Sequence, residues 1–337
     1  MSYAWAKSAD SGRELRISGD RPLWFVSDLH LGNGRGSDTF MGKDKRLCTL
    51  LEQVRREGAR LVICGDAIDL LQANNLTPVI RAHGELLRQL SNMPEDQRVI
   101  YIHGNHDDDI KVYADLLRFE VCERLRVGDE LIALHGHQFD FSMADLTRAA
   151  RATHLHHELE RRLGIWIRIP LAAFYNFGNR AAIWGAYRWY QWMKVRNKAL
   201  RALGFDAIAE HSERLATHWI RHDQGSGMDL MPGAIAYARA QGVPAVVCGH
   251  SHLPGNLVQD GIRYVNTGSW TFDWSQATRY HRGVFEVTDR ATGREYTDQL
   301  YRRLLSGDIT HLNFDRWWKN QYLGWLRFRA GELKHGG

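Results

Sequence analysis

The chain has 337 residues, 44% hydrophobic and 25% charged, which suits one large globular domain with an insertion, or two domains. Met1 to Asp20 is polar without an apolar h-region, and Ile169 to Tyr187 is broken by Asn176, Asn179 and Arg180, so neither a secretory signal nor a membrane span is expected. Four cysteines without close pairing argue against a disulfide framework and for a reducing, cytoplasmic setting, and a formal net charge of +5 suits an anionic partner or plain solubility.

In chain order, Leu23-Trp24-Phe25-Val26-Ser27 reads as a buried strand, followed at once by Asp28-Leu29-His30 and a loop with Gly32, Asn33, Gly34 and Gly36. Lys43 to Glu57 has helical spacing in Leu47, Leu50, Leu51 and Val54, with Gly58 as its stop. Leu61-Val62-Ile63-Cys64 is a strand buried on both faces, ended by Gly65 and followed by Asp66 and Asp69. Pro78 opens a second helix with Ile80, Leu86, Leu87 and Leu90 in its pattern. Arg98 to Ile102 is a third strand, leading into Gly104-Asn105-His106-Asp107, and the β-α-β-α-β rhythm predicts a layered α/β fold.

Phe119 to Val127 and Glu130 to Leu134 flank Gly128-Asp129 as a hairpin, whose second strand runs into His135-Gly136-His137. Phe141 to Gln241 lacks strand signals and is dense in Trp, Tyr, Phe and Arg, including Arg161 and Arg168, so a helical insertion is expected there. Ala245 to Cys248 then leads into Gly249-His250-Ser251-His252, with a hairpin around Asp260-Gly261 and an antiparallel strand over Gly283 to Thr288. A mixed sheet follows from that last strand. Phe314 to Phe328 is a further aromatic and basic helix candidate.

Asp28, His30, Asp66, Asn105, His135, His250 and His252 each follow an apolar strand and mix carboxylate, imidazole and amide oxygen. That set suits Mn, Fe, Zn or Ni rather than a thiolate zinc site. A carboxylate between two such clusters can bridge two divalent ions about 3.5–4 Å apart, with a hydroxide between them. His137 is an alternative ligand to His135, which is preferred because it follows the strand directly. His154 and His157 share a helix face with His156 nearby, but nothing completes a site there, and a solvated face is the better reading.

These blocks resemble the calcineurin-like metallophosphoesterase family over residues 23 to about 140 and about 243 to 290. The resemblance implies a four-layered α/β/β/α sandwich with its core in 21–140 and 243–300, a helical lid in 141–242 and a C-terminal segment in 301–337. It also implies that Asp28, His30 and His252 hold one metal, that Asn105, His135 and His250 hold the other, and that Asp66 bridges them, with Mn first in order. His106 then acts at the phosphoryl centre, oriented by Asp69, while a hydroxide between the metals attacks phosphorus.

Within the family, Asp28-Leu29-His30-Leu31-Gly32, His135-Gly136-x-Gln138-Phe139-Asp140 and Asn266-Thr267-Gly268 look most similar to the UDP-2,3-diacylglucosamine pyrophosphatase group. The chain departs from that group at His106, where Arg is usual, and at His137, where Asp is usual; the first departure implies a different or broader substrate. Asn33, Arg35, His137, Arg161 and Arg168 are the substrate-binding candidates. The expected partner is a phosphorylated small molecule or a lipid-linked one, with peripheral membrane contact through the insertion. A self-packed helical core or an oligomer interface explains the insertion about equally well. A general phosphodiesterase or nuclease is the alternative function, although the charge is modest for tight duplex binding. A non-catalytic scaffold is disfavoured because every ligand position is kept.

Overall fold

The computed structural model describes residues 12–34, 38–40, 42–69, 73, 76–139, 188–189, 191–211, 227–271 and 274–299. Arg35, Arg161, Arg168, the His154 to His157 cluster and the 301–337 segment lie outside them. The described strands form two six-stranded sheets. One has the order β12-β11-β2-β3-β4-β5 and the other β1-β6-β7-β8-β10-β9. Their ranges are β1 Glu14–Ile17, β2 Leu23–Val26, β3 Arg60–Cys64, β4 Ile100–Ile102, β5 Glu120–Cys122 and β6 Arg124–Val127. The remainder are β7 Leu131–Leu134, β8 Ala245–Cys248, β9 Gly255–Gln259, β10 Ile262–Asn266, β11 Gln276–His281 and β12 Val284–Asp289.

Three apolar layers hold the sheets in place. Leu23, Phe25, Val62, Cys64, Ile100 and Ile102 of the first sheet face Leu125, Val127, Leu131, Ala133 and Val247 of the second. On the outer side of the first sheet lie helices α1 (Asp44–Arg56) and α2 (Leu76–Ser91). Helix α3 (Gly227–Ala240) covers the outer side of the second, through Leu230, Ala234, Ile235 and Tyr237 against Ile132, Leu134 and Val246. The result is the α/β/β/α sandwich expected above. Residues pointing both ways from β2 and β3 are buried, which is why these strands read as continuous apolar runs.

Helix α1 forms where its spacing says it should. Leu47, Leu50, Leu51 and Val54 make one buried stripe, Asp44 stands in the first turn, and Arg55 and Arg56 in the last complement the dipole. In α2 the structure departs from the periodicity. His83 has non-helical angles (φ −125°, ψ 25°) and interrupts the helix. Ile80 and Leu87 would share a face of an unbroken helix, yet Ile80 is 43% exposed and Leu87 3%. Leu76 and Val79, not Ile80, are the buried apolar residues of the first half.

One other expectation is corrected. Phe119 to Val127 is not one strand: the chain breaks at Glu123, β5 pairing parallel with β4 and β6 pairing with β1 and β7 in the other sheet. The polar N-terminal stretch also contains β1, whose Leu15 and Ile17 pack against the core between the sheets. Four residues with only two apolar side chains are too short a pattern to stand out from charged surroundings.

Parallel pairing of β2, β3 and β4 brings their C-terminal ends to one edge, and parallel pairing of β7 with β8 does the same in the second sheet. His135 donates Nδ1–H to the Cys64 carbonyl at 2.7 Å, tying the two edges together. The loops that matter for chemistry leave from this shared edge.

Candidate metal centre

Asp28 and His30 follow β2, Asp66 and Asp69 follow β3, Asn105 and His106 follow β4, His135 and His137 follow β7, and His250 and His252 follow β8. The loops are stitched by backbone bonds: Asp28 and His30 donate their N–H groups to Gly65 and Asp66 carbonyls at 3.0 and 2.9 Å, and Gly249 to His135 at 2.9 Å. Asp28, His30, Asp66, His250 and His252 all have φ between 47° and 64°, in the left-handed region. Each such residue costs roughly 1–2 kcal/mol relative to ordinary backbone. Strain concentrated on the chemically interesting residues marks a site whose geometry is imposed by its surroundings.

Side-chain geometry divides these residues into clusters. Asp28, His30 and His252 place one ligand atom each within 4.8 Å of one another, as do Asp66, His135 and His250. Asp28 Oδ1 is 3.2 Å from His252 Nε2 and 3.9 Å from His30 Nε2. Asp66 Oδ2 is 3.2 Å from His135 Nε2, which is also 3.2 Å from Asn105 Oδ1. The second oxygen of each acid holds backbone: Asp28 Oδ2 accepts from His250 N–H and Asp66 Oδ1 from His106 N–H, both at 2.9 Å.

Do these residues fit divalent cations? Asp28 Oδ1 and His30 Nε2 are buried polar atoms without a hydrogen-bond partner. Leaving such atoms bare costs about 1–3 kcal/mol each, and a divalent cation is a ligand that a carboxylate oxygen and an imidazole nitrogen can hold together. His135 points the same way, since its Nδ1–H is committed to Cys64 and its Nε2 is left facing Asp66 and Asn105. The donor set fits.

Electrostatics agree with a site built for positive charge. Burial raises the Asp66 pKa, but the His135, His106 and His30 imidazoles outweigh it and hold the carboxyl well below its ordinary range. Burial opposes charge on His135, yet Asp66, with Asp28 beyond it, pushes its pKa up to about 10. His137 goes the other way: burial, then the neighbouring His135 and His250, lower it to about 3, so its imidazole is neutral. Its ring is 5.4 Å from His135, and it belongs to neither carboxylate cluster. Asn33 lies half-buried on the loop after His30.

Asp69 is shared. One oxygen faces His106 Nδ1 at 3.5 Å, and the other is closer, 3.1 Å from His30 Nδ1. A carboxylate behind a ligating imidazole fixes its orientation, so Asp69 serves the first cluster as well as His106.

Two braces carried no role in the sequence reading. Asp107 accepts from Gly104 N–H and Ala67 N–H at 2.6 and 2.9 Å and from the Tyr101 hydroxyl, locking the Asp66 and Asn105 loops together. Burial and then Asp66 raise its pKa to about 7. Asn266 donates Nδ2–H to Gly249 O at 2.7 Å and Ser251 Oγ at 2.9 Å, steadying the turn that carries His250 and His252. Both residues lay inside quoted motifs, and the available signal was a polar side chain beside a glycine turn.

Gly104 explains its own identity. A Cβ there would lie 2.0 Å from Asp66 Oδ1 and 2.8 Å from Asp66 N. Gly104→Ala must therefore push Asp66 aside, and we expect kcat/KM to fall by about 10²-fold or more, the scale of a misplacement near 1 Å. Steady-state kinetics with metal analysis checks this; unchanged activity would show that the Asp66 position is not critical.

An α/β/β/α sandwich with carboxylate and imidazole clusters at its strand ends is the architecture of a metal-dependent hydrolase. The chain belongs to the calcineurin-like phosphoesterase family, whose model matches residues 21–254, and it is a metal-dependent phosphoester hydrolase. Among solved structures it is similar to Yfce, a phosphoesterase from E. coli (15% identity, 81% of this chain and 96% of that one covered, TM-score 0.38). An archaeal phosphodiesterase is similar at 11% identity, with 80% and 99% covered and a TM-score of 0.36. The cold-active protein-tyrosine phosphatase of a Shewanella psychrophile is similar at 14% identity, with 84% and 81% covered and a TM-score of 0.36. No curated protein matches the chain.

Proposed function

We propose that this enzyme cleaves a phosphodiester or pyrophosphate bond in a nucleotide- or lipid-linked substrate resembling UDP-2,3-diacylglucosamine, working on the cytoplasmic side of a membrane. The observation that carries the chemistry is the pair of largely buried clusters, Asp28–His30–His252 and Asp66–His135–His250. In this reading the first cluster holds one cation; His135, His250 and Asn105 hold the other; Asp66 serves both; and Mn is the first metal to try. Bound there, divalent cations would neutralise phosphoryl oxygens and make a water nucleophilic near neutral pH. His106 faces the reacting phosphoryl group, steadying its charge or protonating the leaving oxygen, while Asp69 orients the imidazole.

The acylated substrate is supported by the helical residues 191–202 and 206–211. They bury Met193 and Asn197 but leave Trp192, Val195 and Ile208 exposed, as are Leu203 and Phe205 in the turn between them, with Arg196, Lys198 and Arg201 beside them. Such a ridge suits an acyl chain or a membrane interface. No helix among the described residues is long and apolar enough to cross a membrane. The second reading, a general phosphodiesterase, is favoured by His106, since a histidine here departs from the pyrophosphatase pattern.

The test compares bis(p-nitrophenyl) phosphate, a nucleotide sugar and its diacylated counterpart with Mn²⁺. Each buried apolar group contributes roughly 1.5–3 kcal/mol, so kcat/KM should rise by at least about tenfold with acylation. Equal values for acylated and unacylated substrates would move the assignment to a soluble phosphodiesterase.

A further inference from the structure

Outside the metal centre, the described residues hold a second buried ionic cluster. His83, at the break in α2, is 4% exposed. Its Nδ1 is 2.8 Å from Asp44 Oδ1 in the first turn of α1, and its Nε2 is 2.9 Å from Asp38 Oδ2. An imidazole that faces a carboxylate from each nitrogen satisfies both only when both nitrogens carry protons. The cluster is therefore an imidazolium between two carboxylates.

Asp38 passes this fixation on to the loop that follows the first metal block. Its Oδ2 accepts from Gly34 N–H at 2.8 Å and its Oδ1 from Phe40 N–H at 3.0 Å. The Phe40 ring meets His83 edge-on at 5.5 Å and stacks on Trp270 at 6.1 Å. Trp270 in turn donates its backbone N–H to the Asp28 carbonyl at 3.0 Å. Residues 32–34, which follow the site's His30, and residues 38–40 are thus fastened to each other and back against the site.

We propose that His83 is a positioning residue for substrate binding, clamping residues 32–34 and 38–40 to α1 and α2 through Asp38 so that Asn33 is held ready for the phosphorylated substrate. This rests on the reading of Asn33 as a substrate contact. The clamp is sensitive to pH. Burial disfavours the charged ring, but Asp38 and Asp44 raise its pKa from 6.5 to about 9. A raised folded-state pKa contributes stability that is complete below about 6.5 and is lost as the pH climbs through about 9. Besides those two acids, Lys43 lies nearby, its ammonium 5.5 Å from the Phe40 ring centroid.

His83→Gln has its N–H donors on a single nitrogen, so it cannot reproduce two contacts made from opposite sides of a ring, and it cannot carry the charge. With bis(p-nitrophenyl) phosphate and Mn²⁺, KM should rise by about tenfold, the scale of one lost charge-assisted hydrogen bond, with kcat and bound metal close to wild type. Wild-type KM should climb above pH 9, and the variant's should not climb further. Amide exchange over residues 32–34 and 38–40 should speed up in the variant, a readout that survives even if the diester is not a substrate. If His83→Gln does not fold, Asp44→Asn takes the charge from the half-exposed arm and should give the same signature at smaller amplitude. Unchanged KM with unchanged exchange would overturn the clamp, and so would a parallel loss of kcat and bound metal. A wild type inactive on the diester, with exchange still faster in the variant, would overturn the substrate role and the activity reading while leaving the clamp intact.

Discussion

Asp66→Ala should abolish hydrolysis and strip the protein of most of its bound metal. Asp66 is 2% exposed and stands between His135 and the loop that carries His106. One oxygen sets His106 through its backbone N–H, and the other stands against His135. Its negative charge, with that of Asp28, is what offsets the cost of burying several imidazoles and any cation they hold. An alanine leaves His135 and His250 to bind a cation without a carboxylate, and leaves the His106 amide without its acceptor. Asp66→Asn separates the two effects, since it keeps the acceptor for His106 N–H and removes only the charge. Elemental analysis should show metal loss in both variants, with the backbone of the Asn105 loop less disturbed in the second. Full activity in either variant, or in wild type rigorously freed of metal, would defeat the two-cation reading.

The parts of this centre that were legible in the sequence share a physical cause. A strand buried on both faces must be apolar throughout, so Leu61 to Cys64 and Ala245 to Cys248 stand out, and the polar residues directly after them stand out equally. Five loops of that kind leave few alternatives to a common site. What escaped notice depends on contacts between residues far apart in the chain. The break at Glu123 is a change of sheet, and a run of alternating residues reads the same on either sheet. His83 lies in a helix pattern, and only folding brings Asp38 and Asp44 to its two nitrogens. The resemblance pairs Asp69 with His106, but the shorter contact to His30 depends on how two loops cross. The insertion gave composition without position, and its Arg161 and Arg168 fall outside the described residues.

His106→Ala and His135→Ala should fail in opposite ways. His135 is completely buried, bonded through Nδ1 to Cys64 O, and has its free nitrogen among Asp66 and Asn105. His106 is different: its side chain is 32% exposed, and its nearest acid, Asp69, stands 3.5 Å from Nδ1. Burial works against a charge on His106, but Asp69 and Asp66 raise its pKa to about 9, so before cations bind the ring carries a proton at neutral pH. The difference in exposure, 32% for the His106 side chain against complete burial of His135, leaves the His106 ring open to a phosphoryl oxygen beside the clusters. His106→Ala should therefore keep near-normal metal content and lose about 10²–10⁴-fold in kcat, the range for a positioned acid or base. His135→Ala should lose metal from one site, and its activity should recover partly as Mn²⁺ is raised. Asp69→Asn should show both defects in milder form, because its two oxygens serve both histidines. Metal analysis alongside kcat for each variant distinguishes the roles, and metal loss in His106→Ala with none in His135→Ala would mean that the two histidines exchange places.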